Sequence, residues 1–262
     1  MSDVGLIYRN SNSWQKSRWD ELLNLFFGRR DDLDKPNYVL DLGCGTGERS
    51  VDFVSKAKSI KKILALDSNK SMIDIAEKEN SHLKILYRLM DIENVDQIKV
   101  SYSFDTIIAN YSLHWLKNKD NFFKKLNKMT SRKANLLIGT VEHLPNMLQT
   151  IDNYMVKNRV GAICPYFFLS SKEWKELLEK NGWIIISEVK KSDSHTVKSG
   201  ITFLEEWYSA STNRAFYGKK PNKEDAEISN LISLLNDDYG VDGSARWKYS
   251  EETYLCVVQK DD

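Results

Sequence analysis

The stretch Val39-Leu40-Asp41-Leu42-Gly43-Cys44-Gly45-Thr46-Gly47 constrains this chain more than any other. Its apolar start is too short for a helix and reads as a buried strand; three glycines at alternate positions then turn the backbone sharply into the next element. Glycine also lets a ligand lie against the backbone, because no Cβ stands in the way. Such a turn cradles phosphate in dinucleotide-binding proteins, but the spacing here argues otherwise. Counted from Gly43, a G-x-G-x-x-G fingerprint requires glycine at position 48, where the chain has Glu48 followed by Arg49. A carboxylate in the first helical turn repels the pyrophosphate that a helix dipole attracts. No Gly-Lys-Ser or Gly-Lys-Thr follows, so the Walker A reading fails as well. The ligand of this turn is not strongly anionic at this point.

Around the turn, short apolar runs alternate with helical patterns, the signature of a parallel sheet covered by helices. The expected strands are Tyr38 to Leu42, Ile63 to Asp67, Ile85 to Tyr87, Phe104 to Ile108, Leu136 to Ile138, Trp183 to Val189 and Tyr254 to Val258. Trp19, Leu22, Leu23 and Phe26 recur at helical spacing ahead of the sheet, so an amphipathic helix is expected to cover one end of the fold. Asn118 to Met129 reads as a helix with Phe122, Phe123, Leu126 and Met129 on one side. Ser170 with Glu173 fits a capping box, and Asn181-Gly182 fits the end of that helix. From about Lys190 to Trp247 the alternation lapses into two helical patterns, Phe203 to Tyr208 and Asn222 to Asn236, joined by polar loops. The expected architecture is α/β: a Rossmann-like, seven-stranded, mostly parallel sheet with helices on both faces. Residues 1–35 form an N-terminal cap helix, 36–189 and 248–262 the core, and 190–247 a helical insertion over the acceptor site, all within a single domain.

The strand ends carry the chemistry. Asp67, followed by Ser68, closes the second strand, where an acid accepts hydrogen bonds from both hydroxyls of a ribose. Asp91, followed by apolar Ile92, closes the third, and an acceptor beside an apolar shelf suits the amino group and face of adenine. A glycine turn, a ribose acid and an adenine site without a phosphate clamp point to an adenosine attached to something zwitterionic or cationic.

At this point the sequence resembles a known family. DLGCGTG, LALDSNKSM, LMDIENV and FDTIIANYSLHWL match, in order and spacing, the class I S-adenosylmethionine-dependent methyltransferases over about residues 36 to 141. The resemblance implies that S-adenosyl-L-methionine is the cofactor. It implies that Asp41 and the backbone of Gly43 and Gly45 line the methionine part and that Asp67 and Ser68 hold ribose. Asp91 and Ile92 then frame adenine, Met72 packs beside it, and Asn110 lies by the sulfonium end. Met72 equally suits plain core packing, and Cys44 between two glycines reads as a small buried residue, not a nucleophile.

The flanks narrow the acceptor. Tyr8 to Lys16, with Ser112-Leu113-His114-Trp115-Leu116, resembles the juvenile hormone acid methyltransferases, and the order of the rest is similar to trans-aconitate methyltransferases; both groups methylate small carboxylic acids. By that resemblance Gln15 and Trp115 hold the substrate. The chemistry agrees: a carboxylate is ionised at neutral pH and needs orientation, not a base. An amide and an indole N–H are neutral donors that hold one carboxylate oxygen without blunting the other. The alternative reading makes Gln15 a surface residue and Trp115 core. A hydroxyl, nitrogen or carbon acceptor instead wants a base, for which His114 and His143 are the candidates. Tyr111, His143, Trp207 and Tyr208 complete the candidate acceptor site, with Tyr166 and Phe167 as further possible walls. A third reading is a non-catalytic cofactor-binding module.

Composition excludes other classes. The 262 residues carry 38 Lys and Arg against 37 Asp and Glu, a net charge of +1, so there is no excess positive field with which to bind nucleic acid. Asn110-Tyr111-Ser112-Leu113 also lacks the Pro-Pro-aromatic motif that holds a planar amine. Cys44, Cys164 and Cys256 are odd in number and widely spaced, which suits reduced thiols and offers no zinc site. The N-terminus has no secretory signal and no apolar run approaches a membrane span, so a cytoplasmic protein without metal or membrane contact is expected.

Overall fold

The structure is a computed structural model, and it describes residues 13–28, 36–158, 166–210, 221–241 and 245–261. Among the described residues seven strands form one sheet: β1 (Tyr38–Leu42), β2 (Lys62–Asp67), β3 (Ile85–Leu89), β4 (Phe104–Asn110), β5 (Thr130–Val141), β6 (Trp183–Lys198) and β7 (Arg246–Lys260). Their order is β3-β2-β1-β4-β5-β7-β6, and the pairings from β3 through β5 are all parallel. The order reverses direction between β1 and β4, the position at which open α/β sheets bind ligands.

Successive residues of a strand point to opposite faces, and both faces are covered here, which is why the central strands read as unbroken apolar runs. Val39, Ile63, Ala65, Ile108 and Leu137 pack on one side with Trp19, Leu22, Leu23 and Phe26 of α1 (Ser13–Phe27), Phe53 of α2 (Glu48–Lys56) and Ile73 of α3 (Lys70–Glu79). Leu40, Leu64, Ile107 and Leu136 pack on the other with Phe122, Phe123 and Leu126 of α4 (Lys119–Leu126) and with Trp174 and Leu178 of α6 (Ser171–Lys180). Helix α1 therefore covers a face of the sheet, not an end. Its Trp19 indole N–H donates to Asp52 of α2 at 2.8 Å, which a buried indole requires.

Several boundaries differ from the sequence reading. The helix at 118 stops at Leu126, because Asn127 caps it and Met129 already leads into β5. The capping box at Ser170 and Glu173 forms as expected. The largest correction is at the last two strands: β6 continues to Lys198 and β7 starts at Arg246, both within the stretch read as helical insertion. The extension of β6, Lys190-Lys191-Ser192-Asp193-Ser194-His195-Thr196, has a period of two but almost no apolar residue, so hydrophobic patterning alone does not report it.

The chain forms two compact units. The sheet unit comprises Ser13–Glu142, Phe167–Lys190 and Tyr254–Asp262; the second draws on His143–Tyr166 and Lys191–Thr253. The second unit has its own core. Met147 and Ile151 of α5 (Asn146–Lys157), Phe203 and Leu204 of α7 (Ile201–Ala210), and Ile228, Leu231 and Leu235 of α8 (Ala226–Tyr239) close around Trp247. Among the described residues no helix is long and apolar enough to cross a membrane.

Candidate active site

The glycine turn is built by hydrogen bonds that its own sequence cannot supply. Gly43, Gly45 and Gly47 have φ of 76°, 55° and 86°, the left-handed region in which a Cβ is strained. The amides of Gly43 and Cys44 both donate to the Leu66 carbonyl at the end of β2, each at 2.8 Å. Asp67, next along, accepts from the Gly45 amide at 2.9 Å and from the Asn69 amide at 2.8 Å. Asn80 donates from its side chain to the Thr46 carbonyl at 2.8 Å, and the Tyr87 hydroxyl donates to the Asn80 carbonyl at 2.8 Å. The Tyr87 ring lies so close under the turn that a Cβ on Gly47 would sit 2.5 Å from its hydroxyl oxygen. Helix α2 starts after Gly47 with no side-chain cap and with Glu48 in its first turn, so it offers no clamp for phosphate.

Asp41 lies behind the turn. Its carboxylate accepts from the Ser50 hydroxyl of α2 at 2.5 Å and is only 3% exposed. Burial pushes its carboxyl up to about 6, against the opposing pull of the Ser50 hydrogen bond and the Arg49 charge. Burial also raises Asp67, while the two backbone amides lower it. A carboxylate has about four acceptor positions, so two amides on Asp67 leave room for two ribose hydroxyls. Cys44 is buried, and its thiol is pushed well above the ordinary range by desolvation and by Asp41 and Asp67, which makes it inert.

The ends of β1, β4 and β5 meet around polar groups that the protein does not satisfy. Asn110 pairs in register with Gly139, and its side chain lies where a Cβ on Gly139 would be. Both the amide nitrogen and the amide oxygen of that side chain are buried without a hydrogen-bond partner, and so is the hydroxyl of Ser112. A Cβ on Gly43 would stand 2.5 Å from Cβ of Ser112, so this hydroxyl-bearing residue lies directly against the glycine turn. Tyr111, between the two, takes φ 55° and donates its amide to the Gly139 carbonyl at 2.7 Å. Three orphaned polar atoms, each costing about 1–3 kcal/mol if left dry, and a strained backbone in one spot make this the candidate ligand site. An uncharged donor and acceptor set beside a backbone cradle fits S-adenosylmethionine.

Beyond β4 the chain makes a single 3-10 turn, Leu113–Trp115. His114 is buried, and desolvation with the Lys119 charge drives its imidazole down to about 3, so it is neutral at physiological pH. Its carbonyl accepts from the Phe167 amide at 2.8 Å, and its ring lies 5.1 Å from that of Trp115 and 5.5 Å from that of Phe168. Trp115 is half-buried.

Asp41, Gly43, Gly45, Asp67 and Asn110 gather at the switch point. Ser68 is exposed just past Asp67. Met72 is buried on α3, as either of its two readings requires. Asp91 is exposed and accepts from the Glu93 amide at 2.9 Å, capping a 3-10 turn that begins at buried Ile92. Gln15 lies on α1 and Trp207 and Tyr208 lie on α7, but their side chains are outside the described residues. His143 is exposed and belongs to the second unit. Cys164 is outside the described residues. Ser50, Asn80, Tyr87, Ser112 and Gly139 have structural roles here that the sequence reading did not assign. Gly139 alone carried a signal, since glycine inside a buried strand marks close approach.

A family model described as "Methyltransferase domain" matches residues 33–182, more than half of the chain. The chain is 29% identical over 181 residues to a malonyl-[acyl-carrier protein] O-methyltransferase of Halalkalibacterium halodurans, covering 66% of each. It is 25% identical over 142 residues to the juvenile hormone acid O-methyltransferase of Bombyx mori, covering 53% of this chain and 50% of that one. It thus spans half to about two thirds of these relatives' lengths. A solved structure from Bacillus halodurans superposes with a TM-score of 0.63 at 15% identity over 94% of this chain and 100% of that one, a likeness of fold alone. With the glycine turn, the strand-end acids and the parallel sheet in place, the chain belongs to the methyltransferase domain family, of the class I S-adenosylmethionine-dependent kind.

Proposed function

We propose that the protein methylates the carboxylate of a small organic acid, giving a methyl ester. The observation that carries this reading is the neutral, buried His114 beside Trp115. A base with a pKa near 3 removes almost no proton from an alcohol or amine at neutral pH, whereas a carboxylate arrives already ionised. Two of the relatives bear the names of enzymes that methylate acids, which supports the same reading.

S-adenosylmethionine, when bound, supplies an electrophilic methyl group. Asp67 is then assigned to the ribose hydroxyls, Asp91 and Ile92 to adenine with Met72 beside it, and Asp41, Gly43 and Gly45 to the methionine part. Asn110, joined by Ser112, is assigned to the sulfonium end. Trp115 and Gln15 act as neutral donors that orient one carboxylate oxygen and leave the other uncovered to attack. Tyr111, next to Asn110, is the proposed wall of the acceptor site.

The test is incubation with labelled S-adenosylmethionine and a panel of fatty, isoprenoid, tricarboxylic and acyl-carrier-bound malonyl acids. A base-labile methyl ester is expected from at least one. If label instead enters a base-stable product, with activity lost in His143→Ala, transfer to another atom replaces this reading.

A further inference from the structure

Lys119 is placed where a lysine is costly. It is the first residue of α4, so its charge opposes the helix dipole, and it is only 5% exposed. Among the described residues no carboxylate is paired with it: neighbouring Asp120 turns to Lys124, Lys180 and Asn181 instead. The ammonium donates to two backbone carbonyls, that of Leu116 at 2.8 Å and that of Phe167. It also lies 5.9 Å from the ring centre of Phe167 and 6.0 Å from that of Trp174 on α6. Burial lowers it to about 8.

These bonds join two separate segments. Leu116 ends the turn that carries His114 and Trp115, its amide bonded to Leu113, while Phe167 lies just over fifty residues later and donates its own amide back to the His114 carbonyl. Phe167 is thus held through both its N–H and its C=O by the turn and the first residue of the helix after it.

We propose that Lys119 is a positioning residue for the acceptor side of the site, clamping the Leu113–Leu116 turn to Phe167 so that Trp115 is held at a fixed orientation. The inference rests on the reading that Trp115 faces the acceptor. No carboxylate or second cation on α4, α6 or the turn shares the contact, so removing the ammonium should release the clamp specifically.

Lys119→Met keeps the hydrocarbon stem and removes the charge. Hydrogen exchange of segments 112–119 and 166–170 should speed about tenfold in this variant, with the glycine turn unchanged. Affinity for S-adenosylhomocysteine should stay within about twofold, while KM for an accepted methyl acceptor should rise about tenfold. Lys119→Arg, which retains a cation with several donors, should recover most of that KM, and it decides the matter if the methionine variant does not fold. Unchanged exchange in Lys119→Met, or equal losses of cofactor and acceptor binding, would overturn the proposal. Trp115→Phe separates the two ideas: if it leaves the acceptor KM unchanged, the assignment of Trp115 fails, whereas a response to Trp115→Phe without one to Lys119→Met sinks the clamp alone.

Discussion

The carboxylate of Asp67 holds the Gly45 amide at 2.9 Å, so the acid that ends the second strand fixes the glycine turn that follows the first. The residue assigned to the ribose is therefore also a structural part of the turn. Replacement by asparagine turns one acceptor into a donor facing a backbone N–H. Asp67→Asn should lose about 1–3 kcal/mol of stability and weaken cofactor binding at least tenfold, measured by denaturant titration and by calorimetry with S-adenosylhomocysteine. Asp67→Glu, which keeps the charge but overfills the turn, should retain stability better than affinity.

Asp41 predicts a pH dependence of stability with an unusual sign. Its folded-state value, about 6, lies above the ordinary 3.8, so the folded protein binds the proton more tightly than the unfolded chain does. Between about pH 4 and 6 the unfolded state holds fewer protons, and stability falls as pH rises through that window, by up to roughly 3 kcal/mol. Paired carboxylates with lowered values, such as Glu142 and Glu188, slope the other way over their own range. The comparison that isolates Asp41 is therefore wild type against Asp41→Asn at pH 4, 5, 6 and 7; the difference between the two curves should change with pH in the direction given and level off above about pH 7.

The parts of the site that were legible in the sequence are those whose physics is local. Three glycines in alternation and an acid at the end of an apolar run declare themselves, because backbone freedom and strand-end chemistry are properties of a few consecutive residues. The braces were not legible. Ser50 on Asp41, Tyr87 under Gly47 and Asn80 on Thr46 are long-range partners set by how α2, α3 and β3 pack, and no spacing rule links them. The outer half of β6 escaped for a different reason: its residues alternate in exposure but not in hydrophobicity, so the signal that reveals a strand was absent.

The buried imidazole of His114 makes a testable statement about one of the two candidate bases. With its imidazole near 3, no ionisation of this residue falls between pH 5 and 8, so kcat/KM should show no limb there that depends on it. His114→Asn, which keeps a polar side chain of similar reach, should lower kcat/KM less than about tenfold through disturbed packing with Trp115 and Phe168. A loss of about 10²–10⁴-fold, the usual contribution of a general base, together with a missing limb in the pH profile, would instead restore His114 as the catalytic base.

Gly139 and Gly182 separate two reasons for glycine. Gly182 takes φ 77° with open space around it, so alanine there meets only backbone strain, about 1 kcal/mol, with no effect on ligand binding. At Gly139 an added Cβ strikes the amide oxygen of Asn110 and comes within 3.4 Å of Leu255 in the fully buried heart of the sheet. The strand cannot retreat, because its carbonyl receives the Tyr111 amide and its neighbours are paired with β4. Asn110 must move instead, and its two unpartnered atoms are those assigned to the ligand. Gly139→Ala should therefore lose about 1–3 kcal/mol of stability and, beyond that, weaken S-adenosylhomocysteine binding at least tenfold. Equal stability losses in the two variants with unchanged affinity in both would show that Asn110 is not part of the cofactor site.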